Sequence, residues 1–87
     1  MNTFLLLVSS PEGNLFSREV AAVYLRGTEG ELAVMAGHIP FVTAIKPCDC
    51  KIELEDGSVI RAHTDGGILT VSKDKVSYLS GSFVILD

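Results

Sequence analysis

Short runs of apolar and β-branched residues recur along the chain, and turn formers break them at regular intervals. The breaks fall at Pro11-Glu12-Gly13-Asn14, Gly27 to Gly30, Gly37 to Pro40, Lys46-Pro47, Asp56-Gly57, Gly66-Gly67, Lys73-Asp74 and Gly81. Turn signals roughly 8–12 residues apart are the pattern of all-β sandwiches and barrels. No useful window places apolar residues at i, i+3, i+4 and i+7, so essentially no helix is expected. Strands are predicted near residues 3–9, 15–19, 20–26, 31–35, 41–46, 48–55, 58–64, 67–72, 75–80 and 83–86. The expected fold is all-β, a flattened two-sheet β-sandwich of about ten short strands in one domain over residues 1–87.

Two stretches allow a finer reading. In the first strand Phe4, Leu6 and Val8 point one way, and Leu5 and Leu7 point the other. A strand wet on one side would alternate apolar with polar. This one is therefore either covered on both faces within the domain or offers an apolar face to a partner, and in a two-layer body the second is the more natural. Around Asp56-Gly57 a two-residue turn would set Ile52 opposite Arg61. A three-residue loop, Glu55-Asp56-Gly57, instead pairs Ile52 with Ile60 and Cys50 with Ala62. It also puts Gly57 where a left-handed residue is needed. That register assigns Cys48 and Cys50 to the core face. Across Lys73-Asp74, Leu69 and Val71 match Tyr78 and Val76.

Composition narrows the class. The chain has 87 residues, 47% hydrophobic and 21% charged, with a net charge of −4. That excludes a disordered chain, leaves little space for a deep cleft and argues against non-specific nucleic-acid binding. The early apolar run, Phe4 to Val8, is too short for a membrane span or a typical signal-peptide core, and no Lys or Arg precedes it. A cytosolic, untargeted chain is expected. On a strand the C-x-C cysteines sit about 6–7 Å apart on one face, too far for a disulfide. With His38 and His63 they match no standard zinc spacing, so buried free thiols are expected.

Candidate chemistry is sparse. His38 lies in a Gly/Pro loop and His63 on an outward face beside Arg61. Glu53 and Glu55 share an exposed hairpin face, where carboxylates are ordinarily just solvated. No nucleophile elbow, phosphate loop or dinucleotide fingerprint appears. No catalytic, cofactor or metal residues are assigned. A carbohydrate-type binding module would usually expose aromatic platforms, and the chain has no Trp and only Tyr24 and Tyr78 among tyrosines. That leaves a small ligand-binding or adaptor sandwich as the alternative reading.

The long run GTEGELAVMAGHIPFVTAIKP, from Gly27 to Pro47, resembles the signature of the epsilon subunit of F-type ATP synthases. Phe4 to Ser9 resembles that family's first strand, Leu15 to Val20 its second element, and Gly66 to Val71 its "GGfleV" element. The likeness covers the whole chain. Cys48 stands where Gly is usual, Ala33 replaces a common Gly and Ala36 a common Pro. None of these removes a charged group.

The resemblance implies a non-catalytic rotor part of the central stalk, without cofactor, monomeric alone. It would bind the gamma subunit and stand on the membrane-embedded c-ring, coupling proton or sodium-ion flow to ATP synthesis. By position, Thr28, Glu29, Gly30, Glu31 and Leu32 would meet the polar loops of the ring, where acidic side chains against basic loops fix register. Ser10, His38, Ile39, Pro40, Phe41 and Thr43 would face gamma, with the two-faced first strand. The expected site is the cytoplasmic face of a bacterial inner membrane, with the membrane reached only through the ring. Many relatives carry a helical hairpin after the sandwich. The sequence given stops at Asp87, about where it would begin, so a sandwich without helix-based inhibition or nucleotide binding is expected.

Overall fold

The computed structural model describes residues 3–86; Asp87, where the sandwich was expected to end, lies outside them. The described residues form ten strands: β1 Phe4–Ser10, β2 Gly13–Val20, β3 Ala22–Gly27, β4 Gly30–Met35, β5 Phe41–Ile45, β6 Cys48–Glu53, β7 Val59–Thr64, β8 Gly67–Val71, β9 Lys75–Ser80 and β10 Phe83–Ile85. All ten belong to one hydrogen-bonded network, which gives the body a nearly barrel-like continuity. It divides into two five-stranded halves, β2-β1-β9-β8-β5 and β4-β3-β6-β7-β10. Among the described residues the only ladder contact between them is the single bridge from Gly27 to Ile45. Neighbouring strands are antiparallel except β1 and β9, which run parallel.

The side-chain alternation of each strand sets its inner face. Phe4, Leu6 and Val8 of β1, Leu69 and Val71 of β8, and Val76 and Tyr78 of β9 fill the core from one half. Val23, Leu25, Val34, Cys50, Ile52 and Ala62 fill it from the other. The hairpin between β6 and β7 has the three-residue loop read from the sequence: Ile52 faces Ile60 and Cys50 faces Ala62. Leu54 N donates to Ser58 O at 2.9 Å, and Gly57 adopts φ +90°. Asp56 Oδ1 accepts from the Ser58 hydroxyl at 2.6 Å and from Ser58 N at 2.9 Å. Those two bonds favour the carboxylate and hold its pKa below the ordinary value. Leu69 faces Tyr78 and Val71 faces Val76, as expected. β2 begins earlier than the apolar pattern suggested, at Gly13, because pairing with β1 continues to Ser10 across a bulge between Val8 and Ser9.

The passage from β7 to β8 is the tightest part of the fold. Gly66 has φ +102°, and a Cβ there would stand 2.8 Å from Ile45 O. At Gly67 a Cβ would run into the Leu79 carbonyl oxygen. Beside this corner lies a buried knot of hydroxyls. Thr64 Oγ1 is 2.6 Å from Tyr78 Oη and 3.0 Å from Ser80 Oγ. Gly66 N donates to Thr64 Oγ1 at 3.2 Å, and Ser80 Oγ donates to Gly66 O at 2.7 Å. Every buried side-chain polar atom among the described residues has a partner. Such satisfaction matters, because an orphaned buried hydroxyl costs about 1–3 kcal/mol.

Two outcomes follow. Gly67→Ala should lose about 1–3 kcal/mol or more by overpacking against backbone. Gly81→Ala, whose Cβ would meet nothing within 4 Å, should stay within about 0.5 kcal/mol; paired urea denaturation curves measure both. The second concerns alkali. Burial, then the charges of Cys48 and Asp49, push the Cys50 thiol from 9.0 up to about 12. Burial also raises the Tyr78 phenol above 10.0. The folded chain keeps protons that the unfolded chain releases, so this stability is intact below pH 9 and is lost as pH climbs toward 12. Cys50→Ala should lower the midpoint at neutral pH and flatten its fall above pH 9.

Candidate partner-binding faces

The two halves present unlike outer surfaces. On the β5-β8-β9-β1 half, the pairings align Val42, Thr70, Ser77 and Leu7 in one row, and Ala44, Ile68, Leu79 and Ser9 in the next. Val42 is 66% exposed, Leu79 51% and Ile68 47%, with Leu5 and Leu7 half-buried beside them. Charge enters only towards the rim, at Lys75 and Glu19. The outer face of the other half carries Arg26, Glu31, Asp49, Lys51, Arg61 and His63, with the exposed Val59 and Val84 standing singly towards its edges. A contiguous apolar patch rimmed by hydroxyls is the mark of a protein contact, whereas a mixed-charge face is content in water. The first strand is thus apolar on both sides, with one side in the core and one on this patch.

The Thr28-Glu29 tip is a two-residue turn between paired Gly27 and Gly30, and Gly30 adopts φ +127°. Thr28 N donates to Ala44 O at 3.3 Å, which ties the tip to β5. Glu29 stands exposed at that tip. Glu31 does not share its situation. It lies on β4, and its Oε2 accepts from Arg26 Nη2 at 2.8 Å across the hairpin. Leu32 is half-buried and packs on the core. Of the five residues expected to meet a ring, Thr28 and Glu29 therefore form the tip, and Gly30, Glu31 and Leu32 belong to the strand behind it.

The residues expected to face gamma do not form one cluster. His38 folds back on its own loop: its N donates to Met35 O at 3.3 Å, and Nε2 donates to Ala33 O at 2.8 Å. Its ring sits edge-on to Phe41 at 6.1 Å. This brace holds Ile39 and Pro40 outward, Ile39 being 82% exposed. Phe41 and Thr43 pair with the buried Val71 and Leu69, but Phe41 at the strand end stays exposed; Val42 is the β5 side chain that joins the outer apolar rows. Ser10 Oγ accepts from Glu12 N at 3.1 Å and caps the turn after β1. Ser10 and Phe41 lie at opposite ends of strands separated by β8 and β9. The apolar rows span the gap between them. Val42, Ile68 and Leu79 were missed from sequence, although each occupies a position where a half-wet strand would carry a polar residue.

Among the described residues no three His, Cys, Asp or Glu side chains gather as a metal would require. Nor is there an aromatic platform from tyrosine: Tyr78 is buried, and Tyr24 lies under the Lys51 ammonium at 4.8 Å.

Comparison with known proteins gives this surface a context. The chain is similar to a chain of the Euglena gracilis mitochondrial ATP synthase assembly of OSCP, F1 and c-ring, with 27% identity and a TM-score of 0.90. The match covers 99% of this chain and 55% of that one. A second likeness is to a chain of the Tetrahymena thermophila mitochondrial ATP synthase central stalk and c-ring. There the TM-score is 0.75 over 92% of this chain and 64% of the other, and 13% identity speaks to the fold alone. The chain thus spans between half and two thirds of the length of these two. The family model for the ATP synthase delta/epsilon chain β-sandwich domain matches residues 3–85, and the chain belongs to that family.

Proposed function

We propose that this chain is the sandwich of a central-stalk rotor subunit, non-catalytic itself, which holds the gamma subunit to the c-ring and so couples ion flow to ATP synthesis. The observation that carries this reading is the apolar outer face of β5, β8, β9 and β1, placed beside an acidic hairpin tip at Glu29. Gamma is the partner for the apolar face, with Ser10 and the His38–Pro40 loop at its corners. The c-ring is the partner for the tip. Burying three half-exposed aliphatic side chains contributes several kcal/mol at roughly 25 cal/mol per Å², while an exposed carboxylate contributes register more than affinity. The family membership and the ATP synthase assemblies that hold similar chains support the reading. It puts the protein at a membrane peripherally, through the ring. Both similar assemblies are mitochondrial, so they lend no support to the bacterial inner membrane expected from sequence.

Ile68→Glu and Leu79→Glu should each weaken association with purified gamma at least about tenfold, a loss of about 1.4 kcal/mol. Both side chains project outward, so the thermal melts should stay close to that of the unaltered protein. Unaltered gamma affinity in both variants would overturn the assignment of this face. At the tip, Glu29→Lys should loosen binding to reconstituted c-ring in a salt-dependent way. Glu31→Lys should act mainly by setting a second cation against Arg26, and so cost stability instead. Equal ring binding by Glu29→Lys and the unaltered chain would remove the tip from the interface.

A further inference from the structure

On the charged outer face a cleft of about 730 Å³ opens between β3 and β6. The strands splay there because β3 pairs with β6 only from Ala22 to Tyr24, while Leu25 to Gly27 turn instead to β4 and the start of the β5 bridge. Three of the charges at this cleft are already matched. Arg26 is bound to Glu31 at 2.8 Å, and Asp49 accepts from His63 Nδ1 at 2.8 Å. Lys51 and Arg61 are not. They stand directly opposite each other on the same face. Among the described residues neither has a carboxylate within 4.0 Å. Like charges directly across a strand pair are destabilising, and this pair persists in a chain of net charge −4. The Tyr24 ring backs the Lys51 ammonium at 4.8 Å and holds it in place. Leu32 and Leu86 supply apolar walls.

We propose that this cleft binds an acidic segment of a partner protein in which carboxylates are interspersed with apolar side chains. Lys51 and Arg61 receive the carboxylates, and the leucine walls receive the apolar groups. A small inorganic anion fits less well. The cations are exposed, no cage of N–H donors converges on them, and the apolar walls would go unused. The apolar patch lies on the opposite outer face, so this site is independent of the gamma-facing surface and can fail or stand without it.

The test uses the whole chain, isotope-labelled, titrated with a short peptide of alternating Glu and Leu and with its Gln counterpart. Amide shifts should centre on Tyr24, Lys51 and Arg61, and the Gln peptide should bind at least about tenfold more weakly. The Lys51→Glu variant should lose the binding while melting no lower than the unaltered chain, because it turns the like pair into an opposite one. Equal binding of the Gln peptide, shifts centred on Ile68 and Leu79, or retained binding in Lys51→Glu would each overturn the proposal. So would inorganic pyrophosphate displacing the Glu peptide at lower concentration, or self-association through the same residues.

Discussion

The corner at Gly66-Gly67 and the hydroxyl knot beside it decide how the two halves of this protein sit together. Among the described residues no ladder joins the halves apart from one bridge between Gly27 and Ile45. Their mutual position therefore depends on packing and on where the chain crosses. At the β7 to β8 crossing the backbone passes so close to Ile45 and Leu79 that only glycine fits. Thr64, Tyr78 and Ser80 then fasten β7 to β9 with bonds shielded from water. Buried networks of this sort specify one arrangement when every member is satisfied, and this one leaves no member unpaired. The proposed rotor role would need that definiteness, and close-packed interiors deform little.

Once the halves are fixed, the division of labour between their outer faces follows from alternation alone. The β4-β3-β6-β7-β10 half turns ion pairs and cations to solvent. The β5-β8-β9-β1 half turns aliphatic and hydroxyl side chains outward on strands whose other side is core. The proposed rotor role would place the two surfaces under different demands. One would have to stay bound through every rotation, for which apolar burial is suited, being non-directional and not screened as ion pairs are. The other is free to carry charge.

Much of this was legible in the sequence. The turn punctuation located every strand break but the one at Ala21, between β2 and β3, because Gly, Pro and Asp-Gly steps interrupt pairing by known mechanisms. The Asp56-Gly57 register could be chosen because one option buries Arg61 against Ile52 and the other does not. The candidate site was legible only in part. Resemblance pointed to the Glu29 tip and the His38 loop, but chain position could not show that Glu31 is bound to Arg26, since partners five residues apart look alike on paper whether or not a turn brings them together. Ile68 and Leu79 were passed over because a core strand and a two-faced strand share the same apolar spelling. Only the pairing of Ile68 with Leu79, on the face shared by the Thr70–Ser77 pair, reveals which side is wet. The close approach at Gly67 was likewise hidden, because it depends on Leu79, twelve residues on.

The exposed rows at Val42, Ile68 and Leu79 also bear on how such a subunit is supplied. A copy without its partner carries a sticky surface from the moment it folds, with no internal flap among the described residues to hide it. Excess copies would meet one another, or a chaperone, before they met an assembly already filled. On the proposed rotor reading, synthesis matched to the number of available stalks becomes a solubility requirement that the surface itself imposes.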